Sequence, residues 1–177
     1  MQKQSPNSGA CSIAWFKLAQ LVSHKEKEKA LGFYKLMSYS LEDKAYAVQV
    51  EADLLLAFED EGAMEKYQQA AFLYKKEKNI VLAASIYEHL RTVNPDDPSY
   101  ISALVEIYAR MDWPEKMEER FNTMIDYYQS KKISEDQVVK TVKLIRDLYT
   151  LEKKDDSLKK FLNFVKVKSP NLPVQVV

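Results

Sequence analysis

The sequence predicts an all-α fold in which antiparallel helix pairs stack into an α-solenoid of about nine helices. Three observations carry this expectation. Apolar residues recur at helical rather than strand spacing, glycine is almost absent, and the apolar stripes return every 34 residues. Each helix pair then has a face that it cannot bury alone, and stacking on its neighbours completes the core.

Only Gly9, Gly32 and Gly62 are glycine. Sheet proteins with many tight turns, and loops that cradle phosphates, both depend on glycine's positive φ, so both are disfavoured. A hydrophobic fraction of 46% with 29% charged residues is that of a folded chain, not a disordered one. The 26 basic residues are balanced by 26 acidic ones, so the basic excess of a nucleic-acid binder is missing and no nucleic acid is expected. Cys11 is the single cysteine and cannot form an internal disulfide, which fits a reducing compartment. No apolar run approaches the ~20 residues of a membrane helix. A cytoplasmic location is the expectation. Residues 1–10 are polar and read as a loose tail, 11–170 as the helical repeat domain, and 171–177 as a C-terminal tail.

The helices are separated by breaks near Ser23-His24, Leu41-Glu42, Asp60 to Gly62, Lys78-Asn79, Asn94 to Pro98, Asp112 to Pro114, Ser130 to Ser134 and Lys153 to Asp156. Asp97 is placed to cap a helix opening at Pro98, and Pro114 opens the next one; proline is tolerated there because its missing amide has no intrahelical partner. Ser134 and Gln137 have capping-box spacing.

Overlaying the segments exposes the repeat. Tyr67, Ala70, Ala71 and Tyr74 share one helix face, and 34 positions later stand Ile101, Leu104, Val105 and Tyr108. The same register gives Phe33, Leu36, Met37 and Ser40 before them and Glu135, Val138, Val139 and Val142 after. In the partner helices Ala83, Tyr87 and Leu90 are followed by Met117, Phe121 and Met124, and Trp15, Ala19 and Val22 stand in matching places near the start. Gln49 and Asp53 interrupt this second stripe, which is expected to shift to Val48, Ala52 and Leu55. Two pairings are compatible with these stripes. One groups residues 30–63, 64–97, 98–131 and 132–170. The other pairs 43–59 with 62–77, because Ala63, Tyr67 and Ala70 also fit the second-helix spacing. The position of Pro95 and Pro98 between units favours the first.

In Tyr67, Ala70-Ala71, Tyr74, Ala83, Tyr87 and Pro95 the chain resembles the tetratricopeptide repeat family, with degenerate repeats. The stretch 98–131 follows with Leu104, Tyr108 and Phe121. Residues 30–63 match in the first helix, and the last unit has its partner helix displaced by about six residues, to Phe161, Phe164 and Pro170. Where the family favours glycine this chain has Met37, Ala71, Val105 and Val139, so close helix approach must come from small or reoriented side chains. The resemblance implies a right-handed solenoid with a concave groove lined by first-helix residues. It implies a protein-binding scaffold or adaptor with no cofactor.

Nothing in the residues suggests catalysis. His24 sits in a charged turn and His89 on a helix surface, no Cys–His set has zinc spacing, and Asp96-Asp97 and Asp155-Asp156 stand at helix starts, where carboxylates offset the helix dipole. There is no nucleophile elbow, P-loop or dinucleotide fingerprint. The tyrosines recur at core spacing, and Trp113 before Pro114 reads as a staple over the start of its helix. A non-enzyme is expected.

The register places Tyr34, Gln68, Phe72, Lys75, Lys76, Glu106, Arg110, Lys140 and Lys143 along the groove, with Ser38, Leu41, Ser102 and Asp136 beside them. The plainer reading of these positions is a set of solvated helix faces. The functional one is a groove, basic in its middle and far end, that takes an acidic peptide or partner protein. The lysine–asparagine set of the family's carboxylate-clamp subgroup has no match here, so a chaperone tail is not implied. Two other functions compete: RNA binding by a related helical repeat, and a sensor that changes curvature when a peptide binds. The apolar ends, Trp15, Phe16 and Leu18 at one and Leu172 to Val177 at the other, point to a folded-back tail or a homodimer contact through an end helix.

Overall fold

The computed structural model describes residues 8–95 and 97–172, with side chains from residue 13 onward. Among the described residues the chain is all-helical: nine helices and no strand. None of these helices is long and apolar enough to cross a membrane. The first begins at Ser8, so residues 8–10 of the expected loose tail are helical; residues 1–7 lie outside the described residues. The chain divides into two compact units, Met1–Lys78 and Asn79–Val177.

The first unit contains α1 (Ser8–Ser23), α2 (Lys27–Ser38), α3 (Lys44–Ala57) and α4 (Gly62–Lys76). Its most extensive helix–helix packing is α3 on α4, the alternative pairing of 43–59 with 62–77. The preferred 64–97 pair is instead divided between the two units. Alanines explain the close α3–α4 approach: Ala45, Ala52, Ala63, Ala70 and Ala71 are all fully buried, doing what glycine would do without its helix penalty. Gln49 and Asp53, which interrupt the apolar stripe of α3, accept hydrogen bonds from the hydroxyls of Tyr74 and Tyr67 on α4. They are polar because two buried tyrosines need acceptors there.

α1, α2 and α3 share a core of Leu18, Leu21, Ala30, Tyr34, Val50 and Leu54. The expected stripe of α2 is therefore rotated. Leu36 and Ser40 are exposed, Phe33 and Met37 are half-buried, and Ala30 and Tyr34 point inward. The same spacing, alanine then tyrosine four residues on, occurs at Ala63-Tyr67 and Ala83-Tyr87, so α2 behaves as a second helix paired with α1. In α1 the buried positions are Leu18 and Leu21; Trp15 and Val22 are half-buried and Ala19 is exposed.

The second unit contains α5 (Ile80–Val93), α6 (Ser99–Arg110), α7 (Pro114–Gln129), α8 (Glu135–Leu151) and α9 (Asp155–Lys168). Here the preferred register holds, with α6 packed on α7 and α8 on α9. Seven of the twelve residues of α6 are buried because it also meets α5 and α8. Ile101, Leu104, Val105 and Tyr108 are among them, as are Met117, Phe121 and Met124 on α7. Pro114 opens α7, and Ser134 and Gln137 form the capping box of α8. Asp97 accepts from the Ser99 amide at 2.9 Å, one residue beyond the expected helix start. Leu172 is buried; Pro173 to Val177, the rest of the apolar tail, lie outside the described residues.

The near absence of glycine has a visible consequence. Six non-glycine residues adopt left-handed φ at helix ends: Lys25, Glu59, Lys78, Asp112, Lys131 and Lys153. Lys25 and Glu59 lie 34 positions apart, as do Lys78 and Asp112. At Lys25 the amide donates to Val22 O at 2.9 Å and the next amide, Glu26, to Leu21 O at 3.0 Å, the paired bonds of a Schellman turn. The same pairing recurs at Glu59, Asp112, Lys131 and Lys153. A Cβ in this region costs about 1–2 kcal/mol, which glycine avoids. Lys25→Gly, Lys131→Gly and Lys153→Gly are therefore expected to stabilise the protein by about 0.5–1 kcal/mol each, after the extra unfolded-state entropy of glycine. Thermal melts check this against the matching alanine variants, which keep the Cβ. Equal gains with alanine would mean that backbone strain is not the cause.

Candidate functional site

The nine groove positions fall into two sets. In the first unit Gln68, Phe72 and Lys76 form an exposed stripe on α4 at four-residue spacing, with Phe72 62% exposed and Lys75 half-buried beside them. Tyr34 lies mostly inside the unit, in the wall of a cleft. It is 3% exposed, and its hydroxyl donates to the Ala47 carbonyl of α3. Burial pushes its pKa up to about 12. The rotation of α2 that makes it a second helix carries Tyr34 into the core. A cleft of about 450 Å³ runs beside it, with Glu28, Lys35 and Glu51 on its walls; Glu51 is paired with Lys66 at 2.9 Å.

The second set is brought together. α8 buries Val138, Thr141, Val142, Ile145, Leu148 and Tyr149. With that face inward, Lys140, Lys143, Leu144, Asp147 and Leu151 share the adjacent outward face at spacings of three and four. Arg110 ends α6, where a cation offsets the negative end of the helix dipole. Together with Leu148 these residues line a cavity of about 470 Å³. Arg110, Lys140 and Lys143, read from the sequence as groove cations, thus meet around one hollow.

Its wall is apolar and its rim is basic. Leu144 is 41% exposed and Leu151 82%, large values for leucines inside a folded unit. Arg110 Nε donates to Glu106 Oε1 at 2.9 Å, and the Glu106 side chain is largely covered, so Glu106 is a partner for the arginine rather than a groove contact. Lys140 is paired with Asp136 at 2.7 Å across one turn. Asp147 is held by Arg146 at 2.9 Å. Lys143 has no ion-pair partner among the described residues. The cavity therefore presents three cations, one carboxylate that is already engaged, and three leucines. That set can bind an anionic, partly apolar group.

Two polar arrangements in the same unit were not legible as sites. Glu88 of α5 accepts from Tyr108 of α6 and Arg120 of α7, each at 2.8 Å, and from Arg91 at 2.9 Å. Burial raises the Glu88 carboxyl, but its bonds to Arg120 and Tyr108 outweigh this and hold it below the ordinary carboxylate range. Burial, then the bond to Glu88, raises the Tyr108 hydroxyl. The only hint in the sequence is a glutamate at a half-buried helix position. The Trp113 ring, just ahead of α7, stacks on Tyr108 of α6 at 6.0 Å between centroids, and the ammonium of Lys116 in the first turn of α7 lies 5.1 Å from the Trp113 centroid. Both tie α6 to α7.

No protein-family model matches this chain, and no curated protein matches it either.

Proposed function

We propose that the chain is a non-enzymatic protein-interaction scaffold of tetratricopeptide-like helix pairs. Its second unit holds an acidic, partly apolar peptide between α6 and α8. The observation that carries this reading is the cavity where Arg110, Lys140 and Lys143 surround Leu144, Leu148 and Leu151. Peptide segments bind such hollows by burying an aliphatic anchor while charges on the rim fix its register. The family likeness is supported by left-handed turn residues 34 positions apart and by the alanine–tyrosine spacing of the second helices. A cytoplasmic protein partner is the setting this reading favours.

A random peptide library selected against the full chain tests it. Sequences joining aspartate or glutamate to leucine, isoleucine or valine should be enriched and bind in the micromolar range. Lys140→Glu with Lys143→Glu should abolish that enrichment while the helical circular-dichroism signal and melting temperature stay unchanged. Selection of sequences without acidic residues, or equal enrichment by the double variant, would sink the reading.

A further inference from the structure

We infer that the anion this cavity selects is a phosphorylated side chain, in a peptide with leucine-like neighbours, rather than a run of carboxylates. The inference rests on the peptide-binding reading and deepens it. Two of the three rim cations already have a carboxylate on their own helix: Arg110 has Glu106 and Lys140 has Asp136, each four residues earlier. An incoming glutamate can pair with Lys143, but at Arg110 or Lys140 it would exchange one singly charged carboxylate for another, with little net gain in a solvent-exposed setting. Lys140 and Asp136 are both about three-quarters exposed, so that pair is weak and easily opened. A phosphate carries close to two negative charges and three acceptor oxygens. It can engage Lys143 and further donors of the Arg110 guanidinium together without displacing Glu106, and its second charge can draw Lys140 away from the exposed Asp136.

Leucine exposure sets the remainder of the ligand. Leu144 and Leu151 flank the cations on the same face of α8, and Leu148 closes the hollow between them. A free phosphate would leave this wall wet. The wall lines a concavity, which a flat lipid surface cannot enter, whereas one side chain of a peptide can. Residues next to the phosphorylated one are therefore expected to be aliphatic.

The test uses the full chain and a fluorescein-labelled peptide with one phosphoserine flanked on both sides by leucines. Matched peptides carry serine or glutamate in its place. The phosphopeptide should bind about tenfold tighter than the glutamate peptide and tighter still than the serine one, and salt should weaken it most. Lys143→Gln should bring the phosphopeptide to within about twofold of the glutamate peptide, while Lys160→Gln, an exposed lysine on α9, should leave the preference intact. Equal affinity for the phospho- and glutamate peptides overturns this inference and leaves the acidic-peptide reading standing. Failure of both peptides to bind overturns both. Inorganic phosphate that displaces the phosphopeptide at the peptide's own concentration would show an anion site without a peptide groove. Vesicles bearing phosphorylated headgroups that bind tighter than the peptide would show a membrane ligand instead. Either result overturns the proposal.

Discussion

Phe121→Ala is expected to lower the stability of the second unit by about 4 kcal/mol, within the range for deleting a buried phenylalanine. The ring is fully buried on α7 and meets two phenylalanines of α9 edge-on: Phe161 at 5.6 Å and Phe164 at 5.8 Å between centroids. Phe161 in turn meets Tyr149 of α8 at 6.5 Å, so one side chain joins three helices. Edge-to-face pairs add about 0.5–1.5 kcal/mol beyond area burial, and the void left by alanine cannot be refilled by an element as rigid as a helix. A domain of this size is stable by about 5–15 kcal/mol, so the loss is a large share of the total. The two tryptophans make the measurement specific, since Trp15 belongs to α1 and Trp113 to the second unit. In a Trp15→Phe background, urea unfolding followed by Trp113 should show a lower midpoint for Phe121→Ala. Phe121→Leu, which keeps most of the volume, should lose well under half as much. Equal losses for the two would mean that the aromatic contacts carry the whole effect and the cavity contributes nothing.

That aromatic cluster was partly legible. Phe121 stood on the 34-residue register, and the displaced partner helix was read at Phe161 and Phe164, which are the rings it meets. Helix number and position were also legible, because apolar spacing and capping chemistry are local: Pro114, Ser134 and Gln137 act as their positions suggest. What periodicity could not decide was which neighbour each helix chooses. On α4, Tyr67, Ala70, Ala71 and Tyr74 fit a first helix, while Ala63, Tyr67 and Ala70 also fit a second one. The choice was made by partners that a hydrophobic count treats as defects. Gln49 and Asp53 supply acceptors to those two hydroxyls and bind α4 to α3. Tyr34 points inward for the related reason that a rotated helix moves every side chain to a new face. Arg110, Lys140 and Lys143 come together around one hollow because α6 and α8 pack on each other. Their opposing carboxylates, Glu106 and Asp136, were visible as residues but not as partners, since pairing at four-residue spacing competes with solvent and with ligand alike.

Replacing Glu88 is the second change with a large expected effect, and it differs from the first in depending on pH. The carboxylate is about 29% exposed, joins α5 to α6 and α7 through Tyr108 and Arg120, and is also held by Arg91 of its own helix. Glu88→Gln keeps the shape but removes the charge, leaving the Arg120 guanidinium, itself 17% exposed, without its main counter-ion on α5. A loss of about 2 kcal/mol is expected from charged hydrogen bonds of this kind. Because the folded carboxyl is held below its ordinary value of 4.5, the unfolded chain binds the proton more readily. The stabilisation is therefore present in full above about pH 4.5 and disappears as pH falls through the lower, folded value. Urea midpoints measured from pH 7 to pH 3 should show the wild-type protein converging on the Glu88→Gln variant at the acid end. The double change Glu88→Gln with Arg120→Met should recover part of the loss at pH 7, because the guanidinium, left with the exposed Glu119 alone, is then gone. A gap between wild type and variant that stays constant down to pH 3 would mean that Glu88 contributes through packing alone and that the charge plays no part in joining the three helices.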